Sequence, residues 1–89
     1  MLNPKEMNSF KRDIKRVKKR GRDLDKLKIV VLELLNERVL DPKYKDHPLT
    51  GNYKGGRECH IEPDWLLIYT IVGRDLILAR TGTHSDLFK

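Results

Sequence analysis

The stretch Arg57-Glu58-Cys59-His60-Ile61-Glu62-Pro63-Asp64-Trp65-Leu66-Leu67-Ile68-Tyr69-Thr70-Ile71-Val72-Gly73-Arg74-Asp75-Leu76-Ile77-Leu78-Ala79-Arg80 decides the fold. From Arg57 to Glu62 it reads as a strand with Arg57, Cys59 and Ile61 on one side and Glu58, His60 and Glu62 on the other. Pro63-Asp64 turns the chain. Trp65 to Val72 is apolar on both sides, as a central strand covered on each face should be. Gly73-Arg74 suits a two-residue hairpin with glycine first, leading into a strand from Asp75 to Arg80. Thr81-Gly82-Thr83 reads as a further turn, and Ser85 to Phe88 as a short C-terminal cap.

Upstream the period changes from two to between three and four. After Ser9, read as an N-cap, Phe10, Ile14 and Val17 form an apolar stripe, while Lys11, Arg12, Lys15, Arg16, Lys18, Lys19 and Arg20 fill the other sides. Gly21 ends this basic helix, and Asp23 caps a second in which Leu24, Leu27, Val31, Leu34 and Leu35 share a face. Ile29, Val30 and Leu32 fall off that stripe, so the second helix is either packed between sheet and helix or partly covered by a partner. Asp41-Pro42 closes the helical region, and Lys43 to Gly56 reads as loop with a short strand near Tyr44. Pro4 leaves residues 1–7 room for a short N-terminal edge strand at most. The expected class is α+β: a helical hairpin packed on a twisted antiparallel sheet of three to four strands, with residues 1–89 as one domain.

Hydrophobic residues make up 38% and charged residues 36% of the 89, a balance that folds rather than stays disordered. Net charge is +6 and unevenly placed: residues 1–28 hold eleven Lys/Arg against four Asp/Glu, a local +7, and the rest sums to −1. Such a basic face suits a polyanion, although a solvated helix surface carries the same pattern. Lys11, Lys15, Lys18 and Lys19 are its docking candidates. The lone Cys59 offers neither an internal disulfide nor a Cys-x-x-Cys motif, which fits a reducing compartment. With no signal-like N-terminus and no apolar run of spanning length, the protein is expected to be soluble and cytoplasmic, with no membrane role.

All three histidines, His47, His60 and His84, lie at strand ends or in loops of the C-terminal half, near Arg80 and Asp64. Imidazoles supply a base and an acid near neutral pH, and arginine stabilises charge on a phosphate. Those are the groups needed to cut RNA through its own 2′-hydroxyl without a metal. Asp64 could orient one ring. For one histidine alone, an ordinary hydrogen-bonded ring is the better reading; the grouping of three argues for chemistry. His47, Cys59, His60 and His84 lack the short spacing of a zinc site, so no metal and no cofactor are expected. Trp65, Tyr44, Tyr53 and Phe88 could stack on bases, whereas Tyr69 reads as core and Trp65 reads either way.

The segments Tyr44-Lys45-Asp46-His47-Pro48-Leu49-x-Gly51, Lys54-Gly55-x-Arg57-Glu58-x-His60-x-x-Pro63-Asp64-Trp65-Leu66-Leu67-Ile68-Tyr69 and Arg80-Thr81-Gly82-Thr83-His84-Ser85-x-Leu87-Phe88 together resemble the YafQ toxins. These are RelE-like, ribosome-dependent mRNA interferases of bacterial type II toxin–antitoxin systems. The likeness runs from about Leu24 to the C-terminal residues, and before that only charge and pattern agree. It implies a basic helical pair on a twisted sheet, entry into the decoding site of the 70S ribosome, cleavage of the mRNA held there, and a cognate antitoxin partner. His47, His60, Asp64, Trp65, Arg80, His84 and Phe88 match the family's active-site positions. By analogy His84 is the acid, His47 or His60 the base, Asp64 an orienting group and Arg80 a phosphate ligand. Two rival readings are a gyrase-binding toxin of the same fold, which does not need this histidine set, and a non-catalytic RNA-binding module.

Overall fold

A computed structural model of the chain describes residues 1–51 and 55–88. Tyr53 and Lys54, singled out above, lie outside the described residues. The elements are β1 (Asn3–Glu6), α1 (Asn8–Lys19), α2 (Leu24–Leu35), a 3₁₀ turn (Pro42–Tyr44), β2 (His47–Pro48), β3 (Arg57–Glu62), β4 (Trp65–Val72), β5 (Asp75–Gly82) and α3 (His84–Leu87).

The strands form one sheet in the order β1-β5-β4-β3-β2. Two features differ from the expectation. The described residues form five strands, and β1 runs parallel to β5. A parallel neighbour needs a crossover connection, and here it is the helical pair that carries the chain from the β1 edge to the far side of the sheet. Pro4 is tolerated because β1 is an edge. The expected hairpin at Gly73-Arg74 is present, with Gly73 at φ 59° as such a turn requires.

The period-two face of the sheet beneath the helices holds the main core: Cys59, Ile61, Trp65, Leu67, Tyr69, Leu76 and Leu78 pack against Phe10, Val17, Leu27, Val30, Leu34 and Leu35. Leu66, Ile68 and Leu87 form a smaller cluster, joined by Leu49 and Ala79. Because side chains alternate along β4, Leu66 and Ile68 face away from Leu67 and Tyr69, which explains why Trp65 to Val72 reads as apolar on both sides.

Local corrections have simple causes. Met7, not Ser9, precedes α1; the Ser9 hydroxyl instead donates to the Ala79 carbonyl at 2.8 Å. Asp23 caps α2 as expected, accepting from the Asp25 N–H. Val30 belongs to the buried stripe of α2, while Ile29 and Leu32 are about half exposed, so the off-stripe apolar residues divide between core and surface. Helix α2 ends at Leu35, well before Asp41-Pro42, with Glu37 in the left-handed region. Near Tyr44 the chain forms a 3₁₀ turn, and the short strand comes at His47-Pro48. Thr81-Gly82 is not a turn: both residues continue β5, and Thr83 caps α3 through a reciprocal pair of hydrogen bonds with Asp86. Among the described residues no helix is long and apolar enough to cross a membrane.

Candidate active site

The three imidazoles stand in a row. Ring centroids are 6.3 Å apart for His47 and His60, 6.0 Å for His60 and His84, and 5.9 Å for His84 and Phe88. Three separate elements, β2, β3 and α3 with the residue that follows it, thus bring these rings together across sequence separations that no local motif could reveal.

Each ring is pinned through one nitrogen. His47 pairs with Glu58 across the antiparallel β2–β3 ladder, and its Nδ1–H donates to the Lys45 carbonyl at 2.7 Å. A carbonyl only accepts, so the proton of a neutral ring sits on Nδ1 and the lone pair on Nε2. The preceding residue anchors the segment: Asp46 accepts from the Tyr69 hydroxyl at 2.5 Å and from Arg57 at 3.1 Å. Burial and the Asp46 carboxylate together push the Tyr69 hydroxyl above its ordinary pKa, keeping it a donor.

His60 Nε2 lies 3.1 Å from Glu58 Oε1. Both belong to β3, two residues apart and so on one face, and Glu58 is buried. A carboxylate so placed needs a polar partner, and the ring supplies it. Glu62, expected on this same face, is not there. A register shift between His60 and Glu62 turns it toward the helices, where Arg22 and Lys26 each meet it at 3.0 Å. The Lys26 and Arg22 hydrogen bonds hold the Glu62 carboxyl below its usual range.

His84 opens α3, where its side chain is more than half exposed. Its Nδ1 is 3.5 Å from Asp64 Oδ1, and its backbone N–H donates to the same oxygen at 3.4 Å. The β3–β4 turn therefore reaches the start of α3 through one carboxylate. Arg80 sits on β5 opposite Ile68, which in turn faces Glu58 on β3, placing the arginine about 10 Å from Glu58 by strand spacing. Its guanidinium is held by Asp13, with Nε at 2.7 Å and Nη2 at 3.2 Å.

Two candidates leave the RNA-facing set. Trp65 is wholly buried under the helices, with its indole N–H donating to Thr81 Oγ1 at 2.9 Å. Tyr44 is half-buried against the core, and Lys43 Nζ sits 5.1 Å from its ring centre. Phe88 remains exposed at the end of the imidazole row. Lys11, Lys15, Lys18 and Lys19 are all exposed on α1. Beside His60 opens a cavity of about 550 Å³ lined also by Lys26, Lys43, Tyr44, Lys45 and Glu62.

Sequence reasoning missed Asp46 and Asp13. The first gave no signal beyond its place beside His47. The second did give one: Asp13 lies between Phe10 and Val17 at helical spacing, an acidic residue set within the apolar stripe, and it is buried. Cys59 faces the main core, opposite to His60, so it cannot join the imidazoles; burial pushes its thiol up to about 12. Among the described residues no group of three or more His, Cys, Asp or Glu side chains is arranged to hold a metal ion.

With this geometry in view, the relatives are informative. The mRNA interferase toxin YafQ of Escherichia coli K12 is 46% identical over 80 residues, which cover 89% of this chain and 87% of that protein. The YafQ chain in the E. coli DinJ–YafQ complex superposes with a TM-score of 0.92 at 41% identity, covering all of both chains. A metal-bound toxin from Helicobacter pylori gives a TM-score of 0.93 at 48% identity, covering 99% of this chain and all of that one. The family model for the bacterial toxin YafQ of type II toxin–antitoxin systems matches residues 2–89, and the chain belongs to this family.

Proposed function

We propose that this toxin is an endoribonuclease that cuts mRNA on the ribosome by acid–base catalysis, with the 2′-hydroxyl of the message as nucleophile. The observation that carries the reading is the row of imidazoles, each held through one nitrogen so that the other is turned to the reaction. In-line displacement needs a base at the attacking oxygen and an acid at the leaving oxygen, on opposite sides of phosphorus. His47 and His84 each lie about 6 Å from the His60 ring, so a phosphodiester held at His60 has one of them toward each of its reacting oxygens.

His47 takes the 2′-hydroxyl proton on Nε2, because the Lys45 carbonyl fixes the other nitrogen as the donor. His60, oriented by Glu58, stands between the flanking rings and hydrogen-bonds the scissile phosphate or relays to the base. His84, with Nδ1 turned to Asp64, gives a proton from Nε2 to the departing 5′-oxygen. Arg80, fixed by Asp13, stabilises the extra negative charge of the transition state. Phe88 extends the row and offers a face on which a base can stack. The exposed lysines of α1 hold ribosomal RNA phosphates, and Lys43 and Lys45 in the cavity beside His60 meet those of the message.

A toxin that destroys messages must be restrained in its own cell. The partner is an antitoxin protein, as DinJ is for the E. coli relative, and the half-exposed Ile29 and Leu32 of α2 leave apolar surface for such contact. The work site is the cytoplasm, where translating ribosomes are. Residues 1–89 act as one domain, supported by a single sheet that draws strands from Asn3 through Gly82.

The test is a cleavage assay on purified 70S complexes with message in the A site, followed by analysis of product ends. A 2′,3′-cyclic or 3′-phosphate and no cleavage of a message bearing 2′-deoxy at the cut position are expected. A 3′-hydroxyl product would rule out the internal nucleophile. Binding without cutting would return the rival of a non-catalytic RNA-binding module, and inhibition of gyrase would return the gyrase-binding one.

A further inference from the structure

Strand β1 pairs with β5 only from Asp75 to Leu78, so the rest of that edge needs another partner. Helix α1 supplies it with side chains. Ser9 donates to the Ala79 carbonyl at 2.8 Å, and Asp13 accepts from the Thr81 N–H at 3.1 Å while clamping Arg80. Farther along the same side of the helix, Arg16 reaches both Asp13, at 3.4 Å, and Asp86 of α3, at 3.8 Å. Arg20 then meets Asp86 through two nitrogens at 2.6 and 3.2 Å. Residues 9, 13, 16 and 20 are spaced four, three and four apart, one line along a helix.

The line ends on an element that cannot hold its own position. Helix α3 has four residues, far below the length at which a helix is stable alone. Among its fixed points are Leu87 in the small cluster, the Thr83–Asp86 cap, Asp64 at His84, and the arginines of α1. Asp86 is also seated on Gly82, where a Cβ would lie 2.8 Å from its carboxylate. His84 and Phe88 are carried by this same short helix and the residue after it.

We infer that Asp13, Arg16 and Arg20 are positioning residues for the reaction, setting Arg80 and the helix that carries His84 in register with Asp64 and His60. Helix α1 is then divided by function: the line of residues 9, 13, 16 and 20 is built into the site, and the exposed Lys11, Lys15, Lys18 and Lys19 face outward. Arg16 and Arg20 belong to the site although their charge alone would assign them to the docking face. The inference rests on the proposed cleavage reaction for its kinetic arm and stands without it for its structural arm.

Asp86→Asn is the discriminating variant. It removes the anionic partner of Arg20 but keeps a cap acceptor for the Thr83 N–H, and it raises the positive charge, so a pure docking role for Arg20 predicts ribosome binding unchanged or tighter. Positioning predicts that single-turnover cleavage at saturating toxin falls about tenfold, with Arg20→Ala giving a similar fall and Arg20→Lys recovering part of it. Ribosome affinity should stay within about twofold in Asp86→Asn. In the free toxin, NMR of the His84 and Phe88 rings should lose their mutual contact in Asp86→Asn and Arg20→Ala while core methyl resonances stay in place. This arm reads out even if no RNA is cut, so failure of the proposed function and failure of the inference are told apart. Wild-type cleavage by Asp86→Asn, or unmoved His84 and Phe88 resonances in both variants, would overturn it.

Discussion

Trp65 gives the sharpest test of the division between core and RNA-facing residues. Its position in the sequence suits a base-stacking ring, yet the indole is wholly buried and donates to Thr81 Oγ1, which in turn donates to the Leu66 carbonyl at 2.7 Å. Replacing Trp65 with Phe keeps an aromatic ring but removes the N–H donor and leaves a void. The lost hydrogen bond costs about 1 kcal/mol. An unfilled volume on the order of 40 Å³ adds about 1 kcal/mol at about 24 cal/mol per Å³. A loss near 2 kcal/mol lowers the melting temperature of a domain this small by roughly 8–16 °C. Thermal denaturation followed by circular dichroism measures that directly. Cleavage by the variant, assayed well below its melting point, should remain within about twofold of wild type. A variant that melts with the wild type and cuts slowly would refute the core role and show that the ring reads RNA.

Replacing His84 with Gln should abolish single-turnover cleavage and leave the melting temperature nearly unchanged, because the side chain is more than half exposed; wild-type cutting would remove it as the acid. Reversing Lys11, Lys15, Lys18 and Lys19 to Glu should weaken ribosome association and flatten its dependence on log salt, since fewer counterions are released per binding event; an unchanged slope would leave these lysines as solvated surface. The hydrogen bond from Arg20 holds the Asp86 carboxyl well below the usual carboxylate range. A depressed pKa in the folded state means stability present above the ordinary carboxylate value and lost as pH falls through the folded one, so melting temperature should drop in the acid range less steeply for Asp86→Asn than for wild type. Equal acid slopes would refute that linkage. The Cys59 thiol, buried and raised to about 12, should resist alkylation in the native protein and react on unfolding; rapid native modification would contradict the packing of β3.

Much of the fold was legible because β3 alternates from Arg57 to His60, β4 is an unbroken apolar run bounded by turn residues, and the apolar stripe of α1 keeps the helical period. The parts that were not legible depend on partners distant in the chain. The parallel pairing of β1 with β5 joins residues about seventy positions apart, and nothing within residues 1–7 announces it. The extension of β5 through Gly82 reads locally as a Thr-Gly-Thr turn; it stays extended because Asp13 takes the Thr81 N–H and Asp86 packs on Gly82. Period two alone puts Glu62 on the face of His60; the bulge, which has no sequence period, turns it away. Within the site, the histidines were visible by residue type, whereas the groups that orient them, Asp46 through Tyr69 and Asp86 through Arg20, are visible only as tertiary contacts.

Those contacts share a pattern with a consequence for how this small toxin is built. The three imidazoles lie on a two-residue strand, a bulged strand and a four-residue helix, none of which is rigid on its own. Each is tied back by a carboxylate or carbonyl: Asp46 anchors the segment before His47, Glu58 holds His60, Asp64 meets His84, and Asp86 fixes α3. These four acidic residues therefore work as fasteners in a chain whose net charge is positive, each matched to an arginine, tyrosine or imidazole at a defined atom. That arrangement separates two uses of positive charge. Lys11, Lys15, Lys18 and Lys19 on the surface can meet RNA phosphates without disturbing the site, while Arg16, Arg20 and Arg80, whose forked guanidinium suits a carboxylate, are committed to Asp13 and Asp86. The contrast between Lys11, Lys15, Lys18 and Lys19 on the one hand and Arg16, Arg20 and Arg80 on the other is the same contrast between docking and chemistry, written on neighbouring faces of α1 and β5.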